Sequence, residues 1–171
     1  MTASLKPLDL KKCGSAERGE VVIDWVLSNL GAANAVASVE AELGREFWNV
    51  VEQHWASFDR INHEFYEHMF ARFRPYWLKS STVQNLPKKL QSWRGQNRHH
   101  QQFGLSWTTD RTMAEKFARG LRHTNPDPVL YQTTVNKTEV ALVLNDRNES
   151  EIVLFQRPMN FAEEAMELNA R

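Results

Sequence analysis

An α+β fold, with a helical N-terminal half followed by a mixed β core, is what this sequence predicts. Two observations lead there. Through residues 16–77 apolar side chains recur at steps of three and four, the period of a helix face. From residue 128 onward they gather instead into short runs separated by polar turns, the pattern of strands. A length of 171 residues, 42% of them hydrophobic, suits one domain with a core of its own.

Residues 1–15 carry Lys, Pro and Gly with no period and read as a loose leader ahead of a single domain over 16–171. Ser15 is placed to cap a first helix, whose stripe is Val21, Val22, Trp25, Val26 and Leu30, with Gly31 as its stop. A second helical piece follows over 34–43. Phe47, Val50, Val51, Trp55 and Phe58 make a helical face, and Ile61, Phe65, Met69 and Phe73 another, ended by Pro75. Residues 78–90 read as loop and 90–94 as a short strand. Asp110 or Thr109 caps a helix over 111–121, with Met113, Ala114, Phe117 and Leu121 on one side. Strands over 129–135, 140–144 and 151–155 follow, the last after a polar turn at 145–148. Residues 160–168 read as a short terminal helix.

Composition removes several function classes. A net charge of zero lacks the basic footprint of a general nucleic-acid binder. The single cysteine, Cys13, has no internal partner for a disulfide, and no apolar leader precedes it, so a cytoplasmic protein is expected. No apolar run is long enough to span a membrane. His63 and His68 miss the zinc-protease spacing, since the residue one helical turn beyond His63 is Glu67. His99 and His100 have no second pair of ligands at a suitable interval, so no metal is expected.

Three short motifs carry the chemistry. Trp93-Arg94-Gly95 opens a polar, His- and Gln-rich stretch. Gly104-Leu105-Ser106-Trp107-Thr108 alternates, so Ser106 and Thr108 project to one face of a strand. Glu149-Ser150-Glu151 enters the apolar run Ile152-Val153-Leu154-Phe155, and strand periodicity sets both carboxylates on one side. Like charges that close repel, and such pairs occur where a site uses them.

In this order the motifs resemble the R-S-E class of ADP-ribosyltransferases: an Arg at a strand end, a Ser-x-Ser or Ser-x-Thr on a second strand, and Glu-x-Glu or Gln-x-Glu opening a third. Phage and prophage proteins with Arg-Gly, Gly-Leu-Ser-Trp-Thr and Glu-Ser-Glu motifs are also similar. The resemblance covers residues 90–155 and leaves the helical half outside. The interval from Arg94 to Ser106 is shorter than in typical toxins of the class, so part of the cofactor cradle is expected to be reduced or to come from elsewhere.

The resemblance implies an NAD-dependent mono-ADP-ribosyltransferase that cleaves the nicotinamide–ribose bond. Glu151 would stabilise the positive charge that develops on the ribose, and Glu149 would orient or deprotonate the acceptor. Arg94 would pair with the cofactor phosphates or ribose, Gly95 would let the backbone approach the cofactor, and Ser106 and Thr108 would brace Glu151. A glutamate at position 149 implies a protein arginine as the first acceptor to test. Tyr66 and Arg74 are the helical residues considered for reaching such a site. Two other readings use the same sequence: an NAD glycohydrolase with water as acceptor, and a non-catalytic phage-type protein that binds a host factor. A nucleic-acid acceptor is a third, weakened by the neutral charge.

Overall fold

The computed structural model of the chain describes residues 4–11, 13–100, 103–120, 125–145 and 149–166. It divides into two compact units, Met1–Leu78 and Lys79–Arg171. The first is helical and the second is built on a sheet, so the α+β reading holds.

The first unit contains α1 (Ser15–Ala35), α2 (Ala37–His54) and α3 (His63–Phe73), with 3-10 turns at Trp55–Ser57 and Arg74–Tyr76. Ser15 does not cap α1. It is the first helical residue, Gly14 occupies the cap position without a side-chain bond, and Ser15 Oγ donates to Asp59 at 2.6 Å. Gly31 does not stop α1 either. Ala32, Ala33 and Ala35 favour helix strongly enough to carry it on, and the break falls at the extended residue Val36. Asn62 caps α3 by accepting from the Phe65 amide at 3.1 Å. The buried side of α3 is Tyr66, Met69, Phe70 and Phe73, rotated from the stripe that steps of four from Ile61 suggest. These rings meet Phe47, Trp48 and Trp55 from α2 and its following turn in one aromatic core. Trp48 satisfies its indole by donating to the Phe73 carbonyl at 2.8 Å. Residues 4–11 form no helix or strand. They are nevertheless tied to α1, because the Lys6 amide donates to Asn29 Oδ1 and the Lys6 carbonyl accepts from Trp25 Nε1.

The second unit contains α4 (Ser81–Gln84), β1 (Lys89–Asn97), β2 (Ser106–Thr108), α5 (Arg111–Arg119), β3 (Pro128–Asn136), β4 (Val140–Leu144), β5 (Glu151–Leu154) and β6 (Ala162–Ala165). The strands form one six-stranded sheet in the order β4-β5-β2-β1-β3-β6, and each pairing is antiparallel. The loop expected over 78–90 holds α4 and the start of β1. Asp110 caps α5, accepting from the Thr112 and Met113 amides. Leu121, and all but Asn145 of the turn expected at 145–148, lie outside the described residues.

The terminal helix expected over 160–168 is instead the edge strand β6, with residues 167–171 outside the described set. Ala162-Glu163-Glu164-Ala165 suits a helix by propensity, but the free edge of β3 supplies a backbone ladder. Side chains then fix it from both faces, Glu163 with Arg98 on one and Glu164 with Arg111 on the other. Tertiary pairing outweighs a local preference of a few tenths of a kcal/mol per residue, a small effect of order ~0.5 kcal/mol.

Candidate functional site

The three motifs fall on β1, β2 and β5, which are adjacent in the middle of the sheet. The register is specific. Trp93 of β1 lies opposite Thr108 of β2, and Thr108 lies opposite Glu151 of β5. Directly paired residues project to the same face, so Trp93, Thr108 and Glu151 form a row across three strands. Ser106 pairs with Val153, two residues along β5, so it is a diagonal neighbour of Glu151.

Thr108 is 5% exposed, and its single hydroxyl organises the start of β5. Oγ1 donates to the Glu149 carbonyl at 2.6 Å and accepts from the Asp110 amide at 3.0 Å. The Thr109 amide donates to the Ser150 carbonyl at 3.0 Å. The end of β2, the cap of α5 and the entry to β5 are thus one hydrogen-bonded corner, with half-buried Glu149 and Glu151 on either side of Ser150.

Glu149 and Glu151 do not share a strand face by alternation. β5 begins only at Glu151, and Ser150 sits in the left-handed region at φ 46°. The period-2 rule requires continuous extended backbone, which that residue interrupts. The Glu149 position is set instead by the bond from its carbonyl to Thr108.

Arg94 leaves β1 on the face opposite to Trp93 and Thr108, as neighbouring strand residues do. The side chain nonetheless reaches the edge of β2, where Nη1 donates to the Ser106 carbonyl at 2.6 Å. Nε donates to Gln96 Oε1 at 3.0 Å. Among the described residues no carboxylate lies within ion-pair distance of this guanidinium, and Nη2 makes no hydrogen bond. Burial lowers the Arg94 pKa from its ordinary value, while the negative charge of Glu151 acts in the opposite direction. The arginine and the second glutamate therefore sense each other electrostatically, although they start from different faces of the sheet.

Gly95 has a different task from the one the resemblance gives it. A Cβ there would lie 1.8 Å from the Ala114 carbonyl oxygen and 2.5 Å from the Ala118 amide, both in α5. The space beside Gly95 is filled by the helix, so the glycine brings α5 onto β1 and not a cofactor onto the strand. Ala114 and Ala118 are fully buried at this contact.

Two residues at this site escape the motif reading. Gln96, 7% exposed, lies beside Arg94 on the same face of β1 and donates from Nε2 to the His100 carbonyl at 2.9 Å. Tyr131 of β3 lies directly across from Arg94 and packs against Phe103 and Phe161. Its hydroxyl pKa is raised, first by burial and then by the Glu163 carboxylate. The alternation of Leu90, Ser92, Arg94 and Gln96 would have revealed the first, had the strand been continued past Arg94. Trp107, by contrast, is in the core as its neighbours suggest, 2% exposed with its indole donating to the Gly104 carbonyl.

Tyr66 is fully buried in the aromatic core of the first unit, its hydroxyl donating to the Gly19 carbonyl at 3.3 Å. That core position accounts for Tyr66 without any site. Arg74 is an exposed residue of the 3-10 turn that follows α3. His99 is exposed, with Nε2 3.8 Å from Asp127. Among the described residues no group of three or more His, Cys, Asp or Glu is placed to hold a metal ion, and no helix is long and apolar enough to cross a membrane. No family model, curated protein or solved structure matches this chain.

Proposed function

We propose that the Lys79–Arg171 unit is an NAD-dependent mono-ADP-ribosyltransferase, with a protein side chain, arginine first, as acceptor. One observation carries the reading. The strand order β5-β2-β1 sets Glu151, the Ser106–Thr108 pair and Arg94 on three neighbouring strands, although Arg94 and Glu151 are 57 positions apart in the sequence. Two further points support it. Arg94 keeps donors that no described residue uses, which suits a phosphate. Over residues 79–171 Lys and Arg outnumber Asp and Glu, a balance that favours an anionic dinucleotide.

In this reading Arg94 holds a cofactor phosphate. Glu151, the residue cross-strand from Thr108, stabilises the cationic ribose as nicotinamide departs. The bond between ribose C1 and the nicotinamide nitrogen breaks, and a bond from C1 to the acceptor nitrogen forms. Glu149 accepts the proton that the acceptor loses. Thr108 fixes the corner at the entry to β5, Ser106 braces Glu151 from its diagonal position on β2, and Gly95 serves the packing of α5.

The test is transfer of labelled ADP-ribose from NAD to protein in a bacterial lysate, with Glu151→Gln in parallel. The expected result is a labelled protein band that the variant loses by at least a hundredfold. Free ADP-ribose without a labelled band would replace the transferase by a glycohydrolase. Neither product would leave a binding protein in which Arg94 serves only to bridge β1 and β2.

A further inference from the structure

The Arg94 guanidinium is unusual in what it is bonded to. Among the described residues both of its hydrogen-bond acceptors are neutral: the Gln96 side-chain carbonyl at 3.0 Å and the Ser106 backbone carbonyl at 2.6 Å. Elsewhere in the same unit the well-bonded arginines pair with carboxylates, Arg98 with Asp127 and Glu163, and Arg111 with Glu115 and Glu164. A carboxylate at position 96 would give Arg94 a stronger bond. It would also neutralise the charge and occupy the group that an incoming anion must meet.

The amide of Gln96 is fixed at both ends. Oε1 must face the Arg94 Nε–H, and Nε2 must face the His100 carbonyl at 2.9 Å, so only one orientation of the amide satisfies both partners. His100 is held in turn by its own amide donating to the Asn97 carbonyl at 2.9 Å. The turn that follows β1 is thereby coupled through Gln96 to the guanidinium. With Nε and Nη1 committed, the plane of the guanidinium is set, and among the described residues no acceptor takes the Nη2 donors.

We propose that Gln96 is a positioning residue for anion binding: it orients Arg94 by a neutral hydrogen bond and so keeps its charge available to a phosphate or diphosphate group. This rests on the assignment of Arg94 to the cofactor phosphates, but it is tested separately from NAD cleavage.

The probe is inorganic pyrophosphate, titrated calorimetrically into the full chain at low salt, with Gln96→Glu and Gln96→Met compared and their melting temperatures recorded. Gln96→Glu retains an acceptor for Arg94, loses the donor to the His100 carbonyl and adds a charge. Gln96→Met retains the length and removes both bonds. A merely structural role predicts that both variants lose stability, since both lose the bond to the His100 carbonyl, while a folded Gln96→Glu binds pyrophosphate as wild type does. The positioning role predicts the reverse emphasis: a folded Gln96→Glu protein whose affinity falls about tenfold or more, the loss of one charge-assisted contact. If wild type also releases nicotinamide from NAD, the glutamate variant should raise KM by a similar factor with kcat changed less than about twofold. Pyrophosphate binding that is lost in Gln96→Glu, without NAD cleavage by wild type, would uphold the role of Gln96 and refute the transferase. Equal affinity in wild type and a folded Gln96→Glu, or no pyrophosphate binding by wild type, would overturn the proposal.

Discussion

Thr108 shows how one side chain can define a corner. Its hydroxyl donates to the Glu149 carbonyl and accepts from the Asp110 amide, so a near-isosteric Thr108→Val leaves two backbone groups without their partner. A cost of about 1–3 kcal/mol is expected, read as a lower urea midpoint, and Thr108→Ser should recover most of it. An unchanged midpoint in Thr108→Val would mean that water replaces the hydroxyl at no cost. The pairing of Ser106 and Thr108 on one face was legible in the sequence because β2 is regular. The relation of Glu149 to Glu151 was not, because Ser150 adopts a left-handed backbone that no residue type announces. Gln96 was hidden for another reason. A polar run of Gln, Asn and His looks like loop until the alternation with Leu90, Ser92 and Arg94 is carried through it.

At the level of elements, α5 depends on two different devices. Asp110 closes its N-terminus by accepting from two amides, and Asp110→Ala should lower stability by about 1 kcal/mol in thermal unfolding. Gly95 admits its flank. Gly95→Ala would force a methyl group against the Ala114 carbonyl, which is backbone and has no rotamer to change, so a loss on the order of 3 kcal/mol is expected. A Gly95→Ala protein as stable as wild type would refute the close approach. Helix α5 and strands β3 to β5 could be read from period and caps, since their apolar faces match their partners. Strand β6 could not. Its sequence favours helix, and only the open edge of β3 and the arginines on either face make it a strand.

Taken as a whole, the molecule keeps its polar chemistry and its aromatic core in different units. In the first unit burial raises the Tyr66 hydroxyl far above the ordinary value for tyrosine. A group whose folded pKa is raised lends stability that is complete below its unfolded pKa and is lost as the pH climbs beyond it. Unfolding by urea should therefore become easier above about pH 10, the unperturbed tyrosine range. Tyr66→Phe should flatten that dependence at a modest cost near pH 7, since the bond to Gly19 is long at 3.3 Å. An unaltered alkaline slope in the variant would place the effect at another group, Tyr131 being raised in the same sense. The division into a helical and a sheet-based part was readable because the apolar period changes from helical steps to strand runs along the chain. That only β2 separates the strands of Arg94 and Glu151 was not readable from spacing, because it arises from sheet order. The most direct test of the transferase is release of nicotinamide from NAD by the purified protein, followed by chromatography beside Glu151→Gln. The transferase reading predicts release by wild type and a fall of at least a hundredfold in a variant that melts at the same temperature. Equal release by both proteins, or none by wild type, would contradict it.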